Sequence, residues 1–243
     1  MRSFRDGQAG QALEQLQAQG RLHFGRDRLE AMQQAVGRCV EDLAAGRSSL
    51  MLAATPSDAC ELNALAREAA RDRGLLGTRQ IVAETAHGGR EFAVGDRVLF
   101  TRNDRDLQVK NGTTAVVEKL GDARIGVRLE DGSTRLVNLR EYSHMEHGYA
   151  LSVHKAQGAS VDRAHVLAGE MSGREWSYVA ASRAREETRL YASREQVGEA
   201  AGRETLALER DSERIDPPSL EKSELAREMG QSHQKDTTLD HSR

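Results

Sequence analysis

Cysteine, proline and aromatic residues are all scarce in this 243-residue sequence, which has two Cys, three Pro and 4% Phe, Trp and Tyr. Cys39 and Cys60 are too few for a disulfide framework and stand apart from any histidine at metal-ligand spacing, so both are expected to be buried, reduced thiols, with no metal site. No stretch approaches the roughly 18 uncharged apolar residues of a membrane-spanning helix. The chain start, interrupted by Arg2, Arg5, Asp6, Glu14 and Arg21, lacks the apolar core of a secretion signal. The expectation is a cytoplasmic protein with no membrane partner. Charge of one sign is also missing: 35 Lys and Arg face 38 Asp and Glu, a net of −3. That balance argues against coating nucleic acid by bulk electrostatics and leaves open a local basic groove. Finally, the dipeptide Gly-Lys never occurs, which removes the phosphate-cradling Gly-x-x-x-x-Gly-Lys-Ser/Thr loop. No apolar strand ends in an acidic pair able to hold magnesium, so any ATPase role requires a site completed elsewhere.

The acidic excess is local. From Arg203 onward there are ten acids and seven bases, with two of the three prolines, Pro217 and Pro218. Gly230 to Arg243 offers only Leu239 as a large apolar residue, so residues 211–243 are expected to be mostly disordered. A short helix from Ser219 to Met229 is the exception the spacing allows.

What the chain does contain is periodicity of two kinds. Two amphipathic helices are expected in the first 45 residues, one with Ala9, Ala12, Leu13 and Leu16 on a face before Gly20, the other with Leu29, Met32, Val36, Cys39, Val40 and Leu43 before Gly46. Ser49 to Ala54 reads as a strand buried on both faces. Thr55 then caps a helix with Pro56 at its first position and Asp58 at the positive end of its dipole. Ala59, Leu62, Leu65, Ala66 and Ala69 form its apolar stripe, and Gly74 ends it. A strand feeding directly into a helix is the unit of an α/β domain.

Between about Gln80 and Arg140 the period becomes two, in runs at Phe92 to Val94, Arg97 to Phe100, Thr114 to Val117, Ile125 to Leu129 and Arg135 to Leu139. Asn111-Gly112 and Asp131-Gly132 suit tight hairpin turns, and five short strands in so little chain suit a small barrel. Arg97, Arg102, Arg105 and Lys110 alternate there with Asp96, Asp104 and Asp106, a mixture typical of a solvated face, and no aromatic run suggests a base-stacking platform. His144 and His147 lack further metal ligands nearby. From Tyr149 strand and helix alternate again: a strand to Val153, a strand at Arg163 to Ala168, a helix from Ser172 to Glu187 and a strand at Thr188 to Ala192. The expected organisation is therefore 1–79 as helices plus the first part of an α/β domain, 80–141 as an inserted β module, 142–202 as the remainder of the α/β domain, and 203–243 as a helical extension and acidic tail.

Two strings carry chemistry. In Tyr149-Ala-Leu-Ser-Val-His-Lys-Ala-Gln-Gly-Ala-Ser160, an apolar strand is followed by Ser152, His154, Lys155, Gln157 and Gly158. A hydroxyl, an imidazole and an ammonium stand there at the carboxyl end of a strand, where α/β sheets present ligand-binding groups, and such donors can bind a phosphate. In Tyr178-Val-Ala-Ala-Ser-Arg-Ala-Arg185, small residues around Arg183 on an expected helix allow the close packing that would fix a guanidinium. An arginine fixed across a cleft can stabilise charge on a transferring phosphoryl group, whereas out of context such a residue is usually a surface ion pair, here with Glu186 or Glu187.

These strings strongly resemble motifs five and six of superfamily 1 helicases of the RecD-like branch. Phe92 to Asp104, Val109 to Thr113 and His147-Gly148-Tyr149 narrow the resemblance to the helicase portion of conjugative plasmid relaxases of the TraA/MobF type, over residues 1–200. The resemblance implies a RecA-like second helicase motor domain carrying an inserted SH3-like β-barrel module, from a 5′ to 3′ ATP-dependent DNA helicase of plasmid transfer. It implies that Ser152 and His154 face single-stranded DNA, where Lys155 can add charge, that Gln157, Gly158 and Arg183 face the nucleotide, and that Arg183 is the catalytic arginine finger, with Arg185 the weaker candidate. Where several RecD-like proteins carry Glu two residues past Gln-Gly, this chain has Ser160, so an acidic contact to the nucleotide sugar is not carried over. ATP and magnesium are implied only together with a complementary first motor domain or relaxase subunit, which resembles a part absent from this chain. The chain alone is expected to be inactive as an ATPase. Two other readings compete: a catalytically inactive relaxase fragment acting as a single-strand-binding module, and a fragment of a RecD-like repair helicase.

Overall fold

The computed structural model describes residues 16–156, 161–168 and 184–195. The helix expected around Ala9 to Leu13, Gln157, Gly158, Ser160, the string Tyr178 to Arg183 and the tail from Arg203 lie outside them.

Strand β1 (Leu22–Gly25) leads into helix α1 (Arg28–Ala44), strand β2 (Ser49–Ala53) and helix α2 (Pro56–Asp72). Each helix starts with a side-chain cap. Asp27 accepts from the Glu30 amide at 2.8 Å, and Thr55 accepts from the Asp58 amide at 3.1 Å with Pro56 behind it. Those bonds satisfy donors that have no partner inside a helix. The chain then makes seven antiparallel strands, β3 (Gln80–Thr85), β4 (Gly88–Ala93), β5 (Arg97–Phe100), β6 (Thr114–Leu120), β7 (Arg124–Leu129), β8 (Thr134–Asn138) and β9 (Met145–His147). Three more follow, β10 (Ala150–Ser152), β11 (Val161–Leu167) and β12 (Ala184–Ser193).

The described strands form three sheets. A parallel sheet runs β1-β12-β11-β2-β10, a hairpin pairs β3 with β4, and a second five-stranded sheet runs β8-β7-β6-β5-β9. The doubly buried strand read from Ser49 onward occupies an inner position of the parallel sheet. Met51 and Ala53 join the core beneath α1 and α2, while Leu50 and Leu52 join Leu151, Val161, Val166 and Leu99 on the opposite face. Leu99 belongs to β5, so that face is covered in part by the antiparallel sheet. The latter has its own core around Phe92, Phe100, Ile125, Val127 and Met145.

Several features depart from the sequence reading, among them β3, the first strand of the hairpin. β1 was not expected; it is short and pairs along β12 from Leu22↔Leu190 to Gly25↔Ser193. β9 lies past 141, yet it completes the antiparallel sheet by pairing Leu99 with Glu146. The helix expected from Ser172 to Glu187 is strand in its described part, Ala184 to Glu187. Ala-Arg-Glu-Glu favours helix intrinsically, but parallel pairing of Ala184 with Val161 and Glu187 with Arg163 overrides that preference. Its charges are matched across the ladder, Arg185 to Asp162 at 3.2 Å and Glu187 to Arg163 at 3.7 Å. Finally, Cys39 is buried as expected but Cys60 is exposed, because it lies off the apolar stripe of α2.

Candidate nucleic-acid interface

Strand β10 is the outer strand of the parallel sheet, paired with β2 through Leu151↔Leu52 and Ser152↔Ala53. Its free edge is taken up by one side chain of α2. Asn63 Oδ1 accepts from the amides of Tyr149 and Ala150 at 2.8 and 2.9 Å, and its Nδ2 donates to the Ala150 carbonyl at 2.9 Å. The carboxamide thus replaces a neighbouring strand, and β10 is held in place on both sides. After Ser152 the chain turns, with the Ala156 amide bonded to the Ser152 carbonyl at 3.0 Å.

Along β10 runs a cleft of about 590 Å³. One wall is α2, with Cys60, Arg67 and Arg71; the other is the turn side of the β3–β4 hairpin, with His87 and Arg90, and β9 with Glu146 and His147. Ser152 and Lys155 stand at its β10 end. Ser152 is buried and Lys155 exposed, the lysine ammonium lying 3.4 Å from Glu146, whose other oxygen is 3.3 Å from His87. Of the three residues expected to face DNA, the structure therefore brings Ser152 and Lys155 together at this cleft. His154 is exposed but does not line it. Gln157, Gly158 and Arg183 lie outside the described residues. Arg185, the weaker finger candidate, lines a different cleft of about 450 Å³ with Arg47, Arg97 and Arg128. The parallel register puts that cleft at the amino end of the sheet and Ser152 at the carboxyl end.

Arg71, Arg90 and His87 are cleft residues that sequence reasoning missed. Arg71 lies on the exposed side of a helix, where the sequence marks it only as a last-turn cation. His87 and Arg90 belong to a hairpin whose first strand was not anticipated. Acids share this surface: Glu91 accepts from Arg67 at 3.2 Å and from Arg71 at 3.5 Å. His147 is held by the hairpin. Its Nε2 bonds the Glu91 carbonyl at 2.9 Å, its ring meets Phe92 edge-on, and burial holds its pKa below the usual value. Among the described residues no three His, Cys, Asp or Glu side chains converge to hold a metal ion, so the described residues do not fit a magnesium site. Nor is any described helix long and apolar enough to cross a membrane.

Residues 147–191, from the end of β9 into β12, match the family of UvrD-like helicase C-terminal domains. The conjugal transfer protein TraA of Agrobacterium fabrum is 36% identical over 188 residues, 76% of this chain and 17% of that protein. The multifunctional conjugation protein TraI of Escherichia coli is 35% identical over 137 residues, half of this chain and 8% of its own length. The ATP-dependent RecD2 DNA helicase of Deinococcus radiodurans is 35% identical over 103 residues, 40% of this chain and 14% of that protein. The chain thus spans less than a fifth of each of these relatives. A crystal structure of the Bacteroides Pif1 helicase with ADP-AlF3 and single-stranded DNA aligns at a TM-score of 0.48 and 17% identity, covering 66% of this chain and 44% of that one.

Proposed function

We propose that this chain, a relative of the TraA conjugal transfer proteins with a UvrD-like helicase C-terminal domain at residues 147–191, contributes the second half of a RecD-like helicase motor that moves plasmid DNA during conjugation. In this reading its α/β domain is the RecA-like second motor domain, its antiparallel insert is the SH3-like module, and it works on single-stranded DNA in the 5′ to 3′ direction. Ser152, His154 and Lys155 hold backbone phosphates. Gln157 and Gly158 face ATP, and Arg183 acts as the arginine finger. The observation that carries the reading is the position of Ser152 and Lys155 at the end of a parallel strand, beside a cleft whose opposite wall bears Arg90 and His87.

The chemistry assigned to this chain is modest. A serine hydroxyl and an ammonium can each donate to a phosphate oxygen, and neither reads a base edge, so binding should be indifferent to sequence. ATP, when bound, would supply the free energy of movement; this chain contributes at most one guanidinium, whose charge offsets that of the transferring phosphoryl group. The phosphate-binding loop and the magnesium ligands belong to a first motor domain, since the sequence contains no Gly-Lys. The second reading is a single-strand-binding module that uses the same Ser152 and Lys155 face without a motor partner.

Fluorescence anisotropy with a labelled oligonucleotide tests the DNA face. Affinity should fall steeply with salt, and Ser152→Ala or Lys155→Ala should weaken it. Binding that is unchanged by both substitutions together would sink the assignment.

A further inference from the structure

Asp96 ties together three stretches of chain that are distant in sequence. Its carboxylate accepts from Arg67 Nε of α2 at 3.1 and 3.2 Å, from the Tyr149 hydroxyl just before β10 at 2.9 Å, and from the Ala93 amide at the end of β4 at 2.7 Å. Asp96 is 0% exposed, Tyr149 1% and Arg67 9%. Arg67 reaches on through Nη1 to Glu91 of β4 at 3.2 Å. Burial, reinforced by the Asp96 charge, pushes the Tyr149 phenol far above its ordinary pKa, so the hydroxyl remains a donor to the carboxylate.

The backbones at this joint are in contact as well. Gly95 has φ +94°, and a Cβ there would come within 2.3 Å of the Leu75 carbonyl oxygen, just after α2. A Cβ on Gly148, before Tyr149, would meet the Val98 carbonyl carbon at 2.8 Å. Arg67 and Tyr149 belong to the parallel-sheet domain, while Ala93 and Asp96 lead from the hairpin into the antiparallel sheet. The two walls of the cleft, α2 and the β3–β4 hairpin, therefore meet at one buried carboxylate. A shared apolar surface permits sliding; a charged group bonded to three directional donors in a low-dielectric interior does not, because any shift leaves a buried charge unsatisfied.

We propose that Asp96 is a positioning residue which, through Arg67 and Tyr149, fixes the angle between the parallel and antiparallel sheets and with it the width of the cleft. Its expected effect on DNA rests on the single-strand reading given above; its effect on geometry does not.

Two spin labels can measure that geometry in the full chain. Cys60 is exposed on the α2 wall, and Glu84→Cys supplies a second exposed site on β3. Cys39 is buried, with its thiol pushed up by burial to about 11, so it stays unlabelled. The distance distribution between the labels, from double electron-electron resonance, should be single and narrow with Asp96 intact. Tyr149→Phe, which removes one oxygen, and Asp96→Asn, which removes the charge, should each broaden and shift it. Both should also weaken single-strand binding by about fivefold or more, in the range of energetic coupling between sites. Ser152→Ala should weaken binding with the distances unmoved. Unchanged distances in the folded variants would overturn the proposal. Broadened distances with unchanged affinity would uphold the positioning role and count against the cleft as the DNA path. If both variants lost cooperative melting, Asp96 would be a folding element and the proposal would fail.

Discussion

His165 Nε2 and Asp42 Oδ2 stand 3.0 Å apart between β11 and α1, the two residues 0% and 2% exposed. An ionised carboxylate only accepts, so Nε2–H donates to Asp42, and His165 Nδ1 accepts from the Tyr191 hydroxyl at 3.0 Å. Burial lowers the His165 pKa to about 4 despite the opposing pull of Asp42. Burial would raise Asp42, but hydrogen bonds from Arg47 and His165 outweigh it and hold the carboxyl below its usual range.

Both groups make the fold acid-labile. An unfolded histidine takes up a proton near pH 6.5 while His165 resists until about 4, so its contribution is full above pH 6.5 and falls away as pH drops between those values. Asp42, with its folded pKa depressed, contributes above the ordinary carboxylate range and loses that contribution in more acidic solution. Urea midpoints should therefore decline from pH 7.5 to pH 5, more steeply in the unmodified chain than in His165→Gln. Equal slopes would remove His165 as the cause.

Salt dependence tests the extent of the cleft. If Lys155, Arg71 and Arg90 each meet one phosphate, replacing any of them with Ala should reduce the slope of log affinity against log salt by roughly 0.7 for a single strand. Lys155 and Arg71 already have carboxylates within reach, Glu146 at 3.4 Å and Glu91 at 3.5 Å, so Arg90→Ala should cost the most affinity. An Arg90→Ala variant with the slope of the unmodified chain would exclude the hairpin from the path.

The chain alone should turn over no ATP. Joined to a first motor domain from a TraA relative, it should show DNA-stimulated hydrolysis that Arg183→Ala lowers by about two orders of magnitude or more, while ATP binding changes little. Lysine should not rescue it, because an ammonium lacks the planar fork of the guanidinium. Retention of activity within about twofold would leave the finger reading without support.

The two thiols should behave oppositely. Cys60, exposed in the cleft, should be alkylated by a maleimide in the native chain and shielded by a bound oligonucleotide; Cys39, in the core, should react only after unfolding. Mass spectrometry of the modified peptides resolves the two, and equal Cys60 labelling with and without saturating oligonucleotide would place the strand elsewhere.

Asn63→Ala should destabilise the fold by about 2 kcal/mol or more, since three backbone groups at Tyr149 and Ala150 lose their partner at a largely buried edge. Thermal melting measures it, and a loss of a few tenths would mean that water replaces the carboxamide.

Legibility in the sequence followed the range of the forces involved. Helix α2 was readable to both ends because Thr55, Pro56 and Asp58 act within its first turn and Gly74 just past its last. Strand β2 was readable because five consecutive buried residues leave no amphipathic alternative. β1 and β9 are short and become strands through distant neighbours, as Ala184 to Glu187 also do. At the cleft, Ser152 and Lys155 were readable from one local string. Arg90, Arg71, Asn63 and Asp96 were not, because their roles depend on which segments the insert brings alongside β10, and Asp96 by itself resembles any charged residue of a solvated turn.

Leu151 of β10 lies beside Leu52 of β2, with the hairpin and the whole antiparallel sheet threaded between them in the chain. Closing a loop of that length costs entropy before any of the pairing is regained, so contacts of this kind form late. The docking site for β10 includes Asn63 on α2 and, through Tyr149, the carboxylate of Asp96, which must already be in place. In a pulse-labelling refolding experiment, amides of β10 should gain protection from hydrogen exchange after those of β6 and β7. The strand bearing Ser152 then joins its sheet only after the insert has formed, and a chain arrested before that step would lack this edge while retaining the antiparallel sheet.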